Sequence, residues 1–195
     1  MKLSKLLLAV VGATVLLSVL VSATSARNLE DSEQRVTGLW TRWNFSGGFG
    51  TAECEVKISG TFHTRTSTKT VNSLIGYITE ATVLRCASGG YTINQASLPW
   101  HERYEGFTGT LPIISGWSER VTGAEWRVRE PLFGVICTVR RESSSIRRTF
   151  TVSSGTVTRA DVSGTSRCSE IEGTLSGSTT NVTNGSGARI TVRLI

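Results

Sequence analysis

A chain of 195 residues, 38% hydrophobic and 18% charged, is long and apolar enough for one domain with a real core. The formal charge is +6, and beyond Lys2 and Lys5 nearly all the positive charge is arginine, with only Lys57 and Lys69 as further lysines. No nucleic-acid-binding motif accompanies this surplus, so nucleic acid is not an expected partner.

Lys2 and Lys5 precede an apolar run from Leu6 to Val21 and a small-residue stretch, Ser22–Ala26. This order reads as a secretory signal peptide over residues 1–26, and cleavage after Ala23 or after Ala26 fits equally. The run falls short of the ~20 residues of a spanning helix. The mature chain is therefore expected to be secreted, monomeric and without stable membrane insertion. Residues 27–37 are polar and read as a flexible leader; residues 38–195 read as a single β domain. Gly38-Leu39-Trp40 opens an aromatic patch with Trp43, Phe45 and Phe49. Its G-x-W is similar to the lipocalin opening over three residues only, and the helix that lipocalins carry near the C-terminus is missing.

From Ala52 to Ile58 small and apolar residues alternate with Glu53, Glu55 and Lys57, the signature of a half-buried strand. A polar stretch over residues 64–71 leads to an apolar run from Leu74 to Cys86, and Ser88-Gly89-Gly90 marks a turn. Ala124, Trp126 and Val128 alternate with Glu125, Arg127 and Arg129; past Pro131, Val135, Cys137 and Val139 resume the pattern. Shorter β-type stretches follow near Thr149–Val152, Thr156–Val162, Ile171–Leu175 and Ile190–Leu194. Arg140, Arg141, Arg147 and Arg148 could meet a polyanion such as an acidic cell-surface polymer, but read better as charges flanking the polar tip of a hairpin. No amphipathic helix is evident. The expectation is an all-β fold, an antiparallel meander barrel or alternatively a β-sandwich, of about 8–10 strands.

The cysteines Cys54, Cys86, Cys137 and Cys168 are even in number. In an oxidising compartment they predict two disulfides with three possible connectivities. The nearly equal intervals mean that pairing 54–86 and 137–168 would close one loop in each half. Structural zinc sites draw ligands from close cysteine pairs, which are absent.

Leu98–Pro112, LPWHERYEGFTGTLP, concentrates the chemistry. Read as a strand it places Trp100, Glu102, Tyr104 and Gly106 on one face and His101, Arg103, Glu105 and Phe107 on the other. Neither face is cleanly apolar. The strings CEVKISGTFHTRT (Cys54–Thr66), SLIGYIT (Ser73–Thr79), LPWHERYEGFTGTLP and the closing ITVRLI resemble a family of uncharacterised secreted proteins of high-GC Gram-positive bacteria. The resemblance implies export and a β-rich domain with paired cysteines, and implies no activity.

Catalysis has few candidates. His63 and His101 are the only histidines, and no G-x-S-x-G elbow occurs. His101, Glu102 and Glu105 would be the centre of a small secreted hydrolase. A metal site from His63, His101 and Glu105 would need the histidines on adjacent strands; neither metal nor cofactor is expected. Binding fits better. The large rigid surfaces of Trp40, Trp43, Trp100, Trp117 and Trp126 can stack on sugar rings or line a barrel mouth, with Trp126 expected in the core. The ligand-binding candidates are Trp100, His101, Arg103, Tyr104 and Trp117. The expected function is non-enzymatic extracellular binding of a small molecule or a cell-surface carbohydrate, with a pocketless surface or inhibitor protein as a further alternative.

Overall fold

Short polar segments here become strands whenever every second side chain finds cover. β1 (Asn28–Asp31) lies inside the expected flexible leader, because Leu29 and Asp31 turn inward and are only 2% and 1% exposed. The computed structural model describes residues 28–48, 50–110, 113–129, 134, 136–139, 144–168 and 171–195. The expected signal peptide lies outside them.

β2 (Arg35–Gly47) and β3 (Gly50–Phe62) form the first long hairpin. A bulge between Trp40 and Trp43 sets two residues, Thr41 and Arg42, against the single Glu55 of β3, so both tryptophans face inward despite their odd spacing. β4 (Thr66–Thr68) is a short strand in the polar stretch before β5 (Leu74–Ser88), and β6 (Gly90–Ile93) follows the Ser88–Gly90 turn. A 3₁₀ turn, Gln95–Ser97, precedes β7 (Trp100–Thr110) and β8 (Ile113–Thr122). β9 (Trp126–Arg129) and β10 (Ile136–Val139) carry the alternation on either side of Pro131. The chain closes with β11 (Ser144–Ser153), β12 (Thr156–Cys168), β13 (Ile171–Thr179), β14 (Val182–Thr183) and β15 (Val192–Leu194).

Eight of these strands form a ring. The order β2, β3, β5, β7, β8, β11, β12, β13 runs antiparallel at every step, and β13 returns to β2 through pairs from Gly173↔Gly47 to Gly177↔Trp43. Closure satisfies the backbone groups that an open sheet would leave on its edges. Two small sheets sit where the chain leaves the ring. β15, β1 and β4 form one beside the start of β2, and β6, β9 and β10 form the other beyond the ends of β5 and β8.

The core fills the ring. Trp40 packs edge-on against Trp43 with centroids 5.6 Å apart, and Trp117 stacks on Phe150 at 4.2 Å. Cys54 and Cys86, directly opposed on β3 and β5, form a disulfide. Of the two expected disulfides this is the one seen. Cys137 is buried on β10, and the side chain of Cys168 lies outside the described residues.

Candidate functional site

Alternation along β7 sends Trp100, Glu102 and Tyr104 into the ring and His101 and Arg103 outward. Tyr104 and Gly106 face the consecutive residues Glu119 and Ser118 of β8, so Glu105 is an extra, outward residue. Beyond this bulge the faces exchange. Phe107, expected beside His101 and Arg103, instead lies opposite buried Trp117 and packs against the core.

Inside the ring the strands bring two carboxylates to one guanidinium. Arg148 of β11 is 4% exposed, Glu102 of β7 1% and Glu119 of β8 0%. Arg148 donates from Nε to Oε1 of Glu119 at 2.5 Å, and its Nη2 bonds Oε1 of Glu102. The Phe150 ring lies 5.0 Å from the guanidinium carbon. Room for the Glu102 carboxylate comes from two glycines. A Cβ on Gly76 would stand 2.8 Å from Glu102 Oε2, and one on Gly60 would stand 3.3 Å from Oε1. Burial raises both glutamic acids above their ordinary range, and the charge of Arg148 opposes that rise. With one guanidinium between them, the triad is neutral when the two carboxyls keep one proton. The expectation of Arg148 as a solvated hairpin charge is thus corrected: it alternates with outward-facing Arg147 and points into the ring.

Asp31 adds a third buried carboxyl. Neither of its oxygens has a hydrogen-bond partner. Burial first, then the charges of Glu119 and Glu30, pushes it up to about 8. An unpartnered buried carboxyl is held as the neutral acid.

The outer wall is different. Tyr77 on β5 lies between His63 and His101, stacked at 4.7 Å on the first and tilted at 5.3 Å to the second. Both histidines are exposed and Tyr77 is half-buried. Next along the wall stands Arg103, which donates from Nη1 to the Asn72 carbonyl at 2.9 Å. Glu105 then accepts from Arg120 Nε at 3.0 Å and Arg147 Nε at 2.6 Å. Partial burial alone would raise Glu105, but the two arginines outweigh it and hold the carboxyl below its ordinary value.

The expected ligand-binding residues are divided between the two sides of the wall. Trp100, Tyr104 and Trp117 belong to the core, with Trp100 Nε1 donating to Ser97 Oγ at 2.9 Å, while His101 and Arg103 face out. The expected catalytic residues are divided too, since Glu102 is inside and His101 and Glu105 are outside. Tyr77 was missed, and its signal is positional, as it pairs with His101 across β5 and β7. Between Trp43, Tyr91, Trp100 and Trp126 lies an apolar void of about 20 Å³, enough for about one water-sized probe. Among the described residues, two polar hollows on the surface stand out. One, of about 410 Å³, lies by Glu30, Asp31, Arg65 and Arg193. The other, of about 330 Å³, lies by Glu105, Arg120, Arg147, Ser163 and Thr165. Among the described residues, no three His, Cys, Asp or Glu side chains are grouped to hold a metal ion.

Comparison with known proteins finds no matching family model, no matching curated protein and no matching solved structure.

Proposed function

We propose that this chain is a secreted, non-enzymatic binding protein, a β-barrel with its interior filled by side chains and a carbohydrate held on its outer wall. The observation that carries this reading is the outer-wall cluster of His63, Tyr77 and His101, exposed at both histidines and half-buried at Tyr77, together with an apolar void among the described residues of about 20 Å³ that is too small for a sugar. Rigid rings clustered on a sheet offer an apolar contact surface at low entropic cost, which suits the C–H groups of a pyranose ring. Export is supported by the leader pattern and by the disulfide. A second disulfide, Cys137 with Cys168, belongs to the same proposal, and no described cysteine is free.

Calorimetric titration of the mature protein with a panel of neutral and uronic oligosaccharides tests it. Tyr77→Ala is expected to weaken binding about 5- to 10-fold, from the ~1 kcal/mol of an aromatic contact, without lowering the melting temperature by more than a few degrees. Absence of binding across the panel, or a Tyr77→Ala protein that binds like the parent, rejects the reading. Sugar hydrolysis abolished by His101→Ala would favour the hydrolase instead.

A further inference from the structure

Three arginines stand in register on the outer wall. Arg103 lies opposite Arg120 across β7 and β8, and Arg120 lies opposite Arg147 across β8 and β11. Neighbouring strands are ~4.8 Å apart, and like charges placed directly opposite destabilise a sheet. Glu105 offsets part of this cost. Its carboxylate is only 10% exposed and takes the Nε and Nη2 groups of both Arg120 and Arg147. The two guanidiniums are thereby pinned side by side, with 47% and 58% of their side chains still open to solvent. Two positive charges meet one negative charge here, and Arg103 adds a third positive charge beside them. On the far side of the hollow, Ser163 and Thr165 of β12 are exposed.

Resting on the carbohydrate reading above, we propose that this hollow is the subsite for the carboxylate of a uronic-acid polysaccharide, with Glu105 as its positioning residue. A volume of about 330 Å³ lies at the lower end of small-ligand sites, the scale of a single sugar unit. Guanidinium planes match a carboxylate in a fork geometry that a spherical cation lacks. The hydroxyls of Ser163 and Thr165 suit the sugar's own hydroxyls. Arg103 and His101 then continue the strip toward the Tyr77 stack, so one extended chain can lie across both. The surplus positive charge favours an acidic chain over a neutral one.

The probes are trigalacturonate and its fully methyl-esterified, uncharged counterpart, titrated into the full protein at fixed salt. The ester is expected to bind at least ~10-fold more weakly, and added salt should weaken only the acid. Arg147→Gln should bring the two affinities together. Glu105→Gln separates a built subsite from plain attraction. It adds one net positive charge, so nonspecific attraction would tighten trigalacturonate binding, whereas loss of the pinned pair weakens it several-fold. Equal binding of acid and ester by the parent protein overturns the proposal. So does tighter binding by Glu105→Gln, an unchanged preference in Arg147→Gln, or a stronger grip on polyphosphate or anionic phospholipid vesicles than on trigalacturonate. If the acid shows no advantage while the ester still binds and still needs Tyr77, the carbohydrate reading survives without this subsite. If neither sugar binds, both fall.

Discussion

Asp31 carries the sharpest consequence at the scale of single residues. Its carboxyl titrates near 3.9 in an unfolded chain and at about 8 in the fold. The folded state therefore holds a proton that the unfolded state releases. That contribution to stability is complete below the unfolded value and is lost as pH rises toward the folded one. Glu102 and Glu119, both raised by burial, act in the same direction, while lowered Glu105 contributes in the opposite sense. Urea midpoints should therefore fall between about pH 5 and pH 8, and Asp31→Asn should flatten the decline and stabilise the protein at pH 8. A midpoint that climbs over this range, or a variant with the parent's slope, would contradict the placement of Asp31. None of this was legible locally. Asp31 sits in a polar segment, and its burial comes from β15 and β4, which lie far away in the chain. Arg147 and Arg148 are likewise identical in sequence character, and only strand alternation sends one to solvent and the other inside.

At the scale of elements, period-two patterning identified β3 and β9 directly, because one face of each is apolar and the other charged. It failed along β7 past Glu105. A bulge adds one residue without any mark in composition, and the two faces trade places from Gly106 onward. β5 shows a different cause. Gly76 looks like a weak point in a strand, yet its missing side chain makes space for the Glu102 carboxylate. Gly76→Ala would press on Glu102 Oε2 and on the Thr61 carbonyl, each 2.8 Å from the new Cβ. We expect a loss of about 1–3 kcal/mol in chemical denaturation, the usual range for overpacking. Gly106→Ala, with no atom within 4 Å of its Cβ, should stay within about 0.5 kcal/mol of the parent. Equal effects at the two glycines would mean that Glu102 does not occupy the space assigned to it.

For the whole molecule, closure of the ring divides the residues of β7 between an inner set, Glu102 and Tyr104, and an outer set, His101, Arg103 and Glu105. The β13–β2 pairing joins the end of the chain to its beginning, so nothing in a local window announces it. Trp40, Trp43, Trp100 and Trp117 were visible as large binding surfaces, but the fold consumes them as filling, as it does Trp126, which was expected in the core. The same closure leaves a stiff wall outside, on which Tyr77, His101 and the arginine row hold fixed positions. All five tryptophans are less than 9% exposed, so their indole N–H signals report the interior while wall amides report the surface. The most direct measurement is a nitrogen-labelled NMR titration with the tightest-binding oligosaccharide of the panel. Shifts confined to the amides around Tyr77, His101, Arg103, Arg120 and Arg147, with the five indole signals unmoved, are the predicted result. Large shifts at the indoles of Trp43, Trp100 and Trp126 with a silent outer wall would place the ligand inside the ring and contradict it.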